Sequence, residues 1–329
     1  MSVNTNKVVK NAYRITKERG KTALRLRVPG GHIETKWFGL INEIAQKYGD
    51  GTAHITTRQG FELPGIDFDK IPEINKMIRP MIEWLGLDLE VSDAGYPAAG
   101  TRNISACIGS RVCPFGNDDT TSFAQELERA VYPNDLHFKI AITGCPNDCI
   151  KAVMNDFGII STVEPVYDES RCISCSACVD NCAKNVTHVL TMQDFSVVRD
   201  PDACIGCGEC IRKCPTEAMT RSKTKSYRMV ILGRTGKKNP RIARTFIKWG
   251  DRESLIKIIQ NTYGFVNRHI DRSQAKEHIG YIVDRVGYQT FKAEVLKGVK
   301  LNNKALVAEN IDWGGYYYKS DASLKPGGR

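Results

Sequence analysis

Apolar and polar positions alternate from Thr22 to Val28, and the run stops at Pro29-Gly30-Gly31, which predicts a strand followed by a turn. The period then changes. From Glu34 to Tyr48 the apolar residues Trp37, Phe38, Ile41, Ile44 and Ala45 recur at helical spacing on one side. Gly51 to Thr57 predicts a second strand, Ile71 to Leu85 a second helix, and Leu87 to Val91 a short third strand. Farther on, Asp119 to Val131 predicts a helix and Phe138 to Ile142 a strand. Past Ser226 come a strand over Tyr227 to Leu232, a basic helix near Arg241 to Lys248, and helices over Arg252 to Asn261, Arg272 to Val286 and Phe291 to Leu296. The class is α+β.

The stretch from Val166 to Lys225 breaks this pattern: it holds eight cysteines and few apolar runs, too little to build a core without metal. The expected organisation is therefore a half-domain over 1–90, a larger α/β domain over 91–165 and 226–329, and an inserted unit over 166–225. No apolar run approaches the roughly 18 residues of a membrane span, and Met1 to Gly20 is polar, so a cytoplasmic protein with no membrane span is expected. The aromatic tail from Trp313 to Tyr318 packs on a partner or on its own domain.

All twelve cysteines fall between Cys107 and Cys214. In a reducing compartment such clusters point to metal rather than disulfides. Cys172, Cys175, Cys178 and Cys182 read C-x2-C-x2-C-x3-C, and Cys204, Cys207, Cys210 and Cys214 repeat the pattern. Three close thiolates grip one [4Fe–4S] cubane and the fourth reaches the other, the arrangement of a bacterial-type two-cluster ferredoxin. One cluster is thus expected on Cys172, Cys175, Cys178 and Cys214, the other on Cys204, Cys207, Cys210 and Cys182. Zinc sites use two cysteine pairs per metal, not two identical quartets.

Cys107-x5-Cys113 and Cys145-x3-Cys149 form a separate constellation that suits a third cubane on two loops, with a zinc site or buried thiols left open by spacing alone. Here the residues resemble a known family. Thr143-Gly-Cys-Pro-Asn-Asp-Cys149, with the upstream cysteine pair, is similar to the sirohaem and [4Fe–4S] signature of sulfite and nitrite reductases. Thr56-Thr-Arg-Gln-Gly60 and Thr101-Arg-Asn-Ile104 resemble two further motifs of that family. The likeness covers most of residues 20–260, and the short chain with its inserted repeat is most similar to the anaerobic sulfite reductase branch.

The resemblance implies a ferredoxin-like half-domain, a sirohaem-binding domain and an inserted 2[4Fe–4S] ferredoxin unit. It implies that Cys107, Cys113, Cys145 and Cys149 hold a cubane and that Cys149 bridges it to the sirohaem iron. Arg58, Arg102 and Lys139 align with residues that hold the anionic substrate, sulfite. His137 stands where the family has a lysine; a histidine there can still donate a proton, and whether it replaces the lysine is left open because its charge depends on its surroundings. Cys113-Pro-Phe-Gly also departs from the family pattern. Arg25, Arg27 and Arg111, and Arg234, Lys237 and Lys238 of the loop Gly233 to Lys238, are candidates for the sirohaem carboxylates; surface or strand-edge roles are the alternative. The other histidines, such as His32 and His278, lack metal-ligand spacing.

Function follows as an expectation: six-electron reduction of sulfite to sulfide, with electrons passing through the two ferredoxin clusters. The implied partners are a flavin and NADH-binding subunit, an iron–sulfur subunit, and a second copy or homologous half-domain that completes the site. No Rossmann fingerprint occurs in the chain itself. Nitrite reduction to ammonia and a non-catalytic polyferredoxin-like carrier stay open as alternatives. The net charge of +10 suggests nucleic acid, but three four-thiolate clusters at about −2 each would remove about 6 of it, so no nucleic-acid partner is expected.

Overall fold

The computed structural model describes residues 12–86, 101–236, 240–273 and 277–311. Its first sheet contains β1 (Tyr13–Ile15), β2 (Lys21–Leu26), β3 (His54–Ile55) and β4 (Phe61–Asp67), antiparallel in the order β1-β2-β4-β3. Helices α1 (Trp37–Tyr48) and α2 (Ile71–Trp84) bury Ile44, Ile74 and Ile78 against Leu24, Leu63 and Ile66 of this sheet. Phe38, expected on the buried side of α1, remains 46% exposed. Only His54 and Ile55 of the expected second strand pair.

β4 was not expected, because Pro64-Gly65 reads as a turn. It is a bulge instead: the register slips between Thr22 and Leu24 of β2, and Gly65 takes φ +84° with Asp50 packed on it. The strand expected over Leu87 to Val91 and the aromatic tail lie outside the described residues.

The second sheet opens with β5 (Ser105–Ala106), crosses through α3 (Thr120–Val131), and continues as β6 (Ile140–Thr143) and β7 (Phe157–Thr162), all parallel. Asp119 caps α3, its carboxylate accepting from the amides of Thr121 and Ser122 at 3.0 and 3.2 Å. All six residues of β7 are buried, so the strand lacks the alternation that marks a half-exposed one.

The chain then leaves the sheet for β8 (Pro165–Tyr167), α4 (Ala177–Asn185), the hairpin β9 (Leu190–Gln193) and β10 (Ser196–Arg199), α5 (Glu209–Lys213) and β11 (Met219–Arg221), which pairs with β8. The buried core of this excursion is Cys178, Cys182, Cys204 and Cys210 with Val189, Leu190, Val197 and Met219. Half of that core is thiol, so its stability depends on what the thiols bind.

Strand β12 (Ser226–Ile231) returns antiparallel to β7, followed by β13 (Arg244–Gly250). After α6 (Arg252–His269), α7 (Ile279–Val286) and α8 (Tyr288–Val295), β14 (Leu306–Val307) closes the order β14-β13-β12-β7-β6-β5. The stretch expected as a basic helix is thus the strand β13: pairing on both sides and burial of Phe246 and Ile247 override local pattern. α6 runs past Asn261 to His269. The helix expected from Arg272 begins only at Ile279, because the Asp271 carboxylate turns the chain by accepting from the amide and hydroxyl of Ser273.

One buried carboxylate ties the excursion to the sheet. Asp118 accepts from Tyr227 Oη and Arg252 Nη2, each at 2.5 Å, and from Lys225, the last residue before β12 begins. Breaking a buried pair leaves uncompensated charge, at a cost of about 3–5 kcal/mol. Asp118→Ala should lower the unfolding free energy by about that much, whereas Arg79→Ala, which loses only the exposed pair with Glu83, should cost under about 1 kcal/mol. Denaturant midpoints compare the two.

Candidate functional site

The loop Thr56 to Gly60 is closed by a hydrogen bond from the Thr56 amide to Gly60 O at 2.8 Å, with Gln59 at φ +64°. Gln59 then imitates a strand neighbour: its side chain accepts from Ala106 N at 2.7 Å and donates to Ala106 O at 2.8 Å. This docks the loop on β5, one residue before Cys107. Asn103 locks the same junction, accepting from Val28 N and donating to Val28 O and Arg58 O.

Arg58 is thereby held rigidly. Its guanidinium donates to Asn103 O at 2.9 Å, to Ile140 O and to Asn155 Oδ1. Burial lowers its pKa to about 10, so it stays charged near neutrality. It lines a cavity of about 360 Å³ with Arg14, Arg25, Arg27 and Arg102, against a single carboxylate, Glu62.

Arg102 Nε donates to His137 Nε2 at 2.9 Å. Burial, then the nearby charges of Arg102, His278 and Lys139, push the His137 pKa down to about 3. The ring is therefore neutral near pH 7, and its Nε2 acts as an acceptor that orients Arg102. Neither His137 nor Lys139 lines the arginine cavity. Lys139 gives its amide to Asp156 Oδ2 at 2.9 Å. Asp156 is fully enclosed, and burial raises its pKa to about 6 despite the opposing charges of Lys139, Arg58 and Arg234. A lone aspartate carries no spacing signal, and the sequence did not single it out.

The structure gathers Cys107, Cys113, Cys145 and Cys149 through backbone contact. A Cβ on Gly116 would lie 2.5 Å from Ser110 N, and one on Gly144 would lie 3.1 Å from Gly109 Cα and 3.4 Å from Cys107 Sγ. At Gly116 the approach leaves no room for a side chain, and at Gly144 it leaves little. Gly144 N donates to Cys107 Sγ at 3.0 Å. Burial, and then the neighbouring thiols Cys107, Cys149 and Cys113, raise the Cys145 pKa. Four thiolates placed together need a cationic centre.

The other eight cysteines divide between two cavities. One is lined by Cys172, Cys175, Cys178 and Cys214, the second by Cys182, Cys204, Cys207 and Cys210. That division matches the crossed pattern expected from the repeats. Among the described residues no group of three or more His, Cys, Asp or Glu side chains is arranged to hold a single metal ion.

The remaining basic candidates separate. Arg25 pairs with Glu62 at 3.1 Å on the cavity wall. Arg27 is buried against Glu128 at 2.6 Å and lies over the Tyr132 ring at 3.8 Å, so its contribution to the cavity is charge and packing. Arg111 stands elsewhere, between Asp119 and His32. Arg234 stacks on Tyr281 at 4.1 Å and pairs with Asp284 at 3.3 Å. Lys237 and Lys238 lie outside the described residues.

The models of two domains match this chain: the nitrite/sulfite reductase ferredoxin-like half domain over residues 15–81, and the nitrite and sulphite reductase 4Fe-4S domain over residues 98–304. One subunit of the anaerobic sulfite reductase of Salmonella typhimurium is 39% identical over 324 residues, 97% of this chain and 96% of that protein. The chain belongs to the nitrite and sulfite reductase family. A coenzyme F420-dependent sulfite reductase of Methanocaldococcus jannaschii is 29% identical over 85% of this chain and 43% of its own length. In fold, the chain resembles dissimilatory sulfite reductase I, with a TM-score of 0.65 at 16% identity over 93% of this chain and 75% of that one.

For a reductase of this family the donor set fits its cofactors. Five arginines against one glutamate suit a ring bearing several carboxylates, and the neighbouring thiols suit an iron–sulfur cluster. Gly116→Ala should keep the first sheet folded yet lose about four irons per chain from the Cys107 group, read by metal analysis. A second test uses pH. The raised Asp156 pKa favours the folded state below about pH 6, while the depressed His137 pKa disfavours it below its ordinary value near 6.5, so the two slopes oppose between about pH 4 and 6. Asp156→Asn removes the first term, and its thermal midpoint should fall more steeply than the wild type's on acidification through that window.

Proposed function

We propose that this chain is the catalytic subunit of an anaerobic sulfite reductase, converting one sulfite, six electrons and six protons into sulfide and three waters. The observation that carries the reading is the arginine cavity standing beside the four-cysteine group, joined to it by the Gln59–Ala106 clamp. The 39% identity to the Salmonella typhimurium protein along nearly the whole chain supports the same conclusion.

Cys107, Cys113, Cys145 and Cys149 would hold a [4Fe–4S] cluster, and Cys149 would also hold sirohaem; Arg25, Arg58 and Arg102 would face the ring carboxylates or the substrate, with Arg27 adding its charge behind them. When bound, sirohaem and its cluster supply the iron at which sulfite is reduced and the store of electrons for it. Arg58, fixed by three protein acceptors, supplies a positive charge that need not reorganise as negative charge builds up. Arg102, steered by neutral His137, adds a second cation whose direction is set by the imidazole. Behind the site the Lys139 amide donates to Asp156, whose pKa near 6 lets its carboxyl hold or give up a proton near neutrality.

The excursion from β8 to β11 holds, on this reading, two further [4Fe–4S] clusters that bring electrons from a flavin and NADH-binding subunit and an iron–sulfur subunit. A second copy or homologous half-domain completes the site. Among the described residues no helix is long and apolar enough to cross a membrane, and a cytoplasmic complex is proposed.

Steady-state assays with a reduced dye test the reading. Sulfide should form from sulfite at a higher kcat/KM than ammonia from nitrite. Arg102→Gln should lower kcat/KM for sulfite about a hundredfold or more while cluster EPR spectra stay unchanged; unaltered turnover would remove Arg102 from the site.

A further inference from the structure

Two cysteine groups meet across one asparagine. Asn117 gives its amide to Gly144 O at 2.6 Å, and Gly144 directly precedes Cys145. Its side-chain Nδ2 donates to Gly206 O at 3.4 Å and Ser161 O at 3.3 Å, and Gly206 directly precedes Cys207. Arg221 holds the asparagine in place, donating to Oδ1 at 2.6 Å. A bonded path therefore runs from Cys207 through Gly206, Asn117 and Gly144 to Cys145, each end one residue from a thiol.

The loop that carries Cys204 and Cys207 packs tightly at this point. A Cβ on Gly206 would meet Thr162 at 2.8 Å and Trp249 at 2.9 Å, and one on Gly208 would meet Val163 at 2.9 Å and Asn117 Oδ1 at 3.2 Å. The Cys172 group contrasts with it. There Cys175 is exposed, and Ile173 beside it is 64% exposed. Cys178 and Cys182 share one buried core with Cys204 and Cys210, so the two groups of the excursion adjoin.

We infer that the Cys204 group is the inner centre of the relay, that the Cys172 group is the outer one, and that Asn117 is the positioning residue through which the inner centre passes electrons to the Cys107 group. The inference rests on the reading that each group holds a [4Fe–4S] cluster. Each step moves one electron. A low-potential one-electron donor is oxidised as the outer centre is reduced; the outer is reoxidised as the inner is reduced; the inner is reoxidised as the Cys107 centre is reduced. No bond forms or breaks. Transfer of this kind weakens steeply when a bonded contact becomes a through-space gap. Replacing the side chain of Asn117 opens such a gap while leaving the ligands intact.

The test uses the holoprotein with Asn117→Ala and Asn117→Asp. The aspartate is isosteric and keeps an acceptor for Arg221, but it loses the donor to Gly206. Samples mixed with reduced viologen are freeze-quenched and read by EPR, alongside iron content and thermal midpoint. Both variants should reduce the two centres of the excursion at the wild-type rate, and the Cys107 centre at least about tenfold more slowly, with iron content unchanged. A wild-type rate at the Cys107 centre in either iron-replete variant overturns the inference. So does reduction of the Cys107 centre ahead of the Cys204 centre in the wild type, or loss of its iron in both variants, which would make Asn117 a structural clamp. A Cys107 group without iron in the wild type itself would instead overturn the functional reading on which the inference rests.

Discussion

The contact of Gly109, Gly116 and Gly144 is the constraint on which the site depends. The loop bearing Cys107 and Cys113 and the loop bearing Cys145 and Cys149 come from opposite ends of α3 and β6, and their thiols converge because three backbones touch where side chains would stand. The contact also sets the electrostatics. Burial, and then the neighbouring thiols, raise the pKa of Cys145, so that thiol ionises readily only when a cationic centre is beside it. Thiols are crowded in the excursion too, where the cysteines form half of the buried core and Cys210 is pushed up to about 12 by burial.

Around that contact the chain spends buried charge on position rather than on stability. Arg27 and Glu128 form an enclosed pair under Tyr132, and Arg58 is spread over three acceptors from three segments. Buried pairs of this type are weak contributors to net stability but costly to break. Their effect is to fix several positive charges on one cavity wall. The triplet Asn117-Asp118-Asp119 concentrates three other tasks: Asn117 joins two cysteine loops, Asp118 anchors the return of the excursion into the sheet, and Asp119 caps α3.

What was legible in the sequence was whatever repeats or alternates. The quartet spacing announced how eight cysteines would divide, and β2, α1, α2 and α3 followed from periodicity. β7 was hidden because a strand buried on both faces does not alternate, β4 because its bulge is written in turn residues, and β13 because cross-strand pairing outweighs a basic composition. In the site, Arg58 and Arg102 were found through motifs. His137 was identified with its charge left open, since only its surroundings show that the ring is a neutral acceptor. Asn117, Asp118 and Asp156 left no signal: each is a single polar residue whose meaning lies in partners 17 to 134 positions away. Arg111 and Arg234, basic residues near motifs, are paired in the fold with Asp119 and Asp284, partners that no motif announces.

The central claim is that the glycine-gathered thiols hold a cluster of their own beside a ring-bound iron, in addition to the two centres of the excursion. Iron and acid-labile sulfide counted per chain in anaerobically purified protein test this most directly. The account predicts about 13 irons and about 12 sulfides, the odd iron belonging to the macrocycle. About eight of each would contradict it and leave a two-cluster electron carrier.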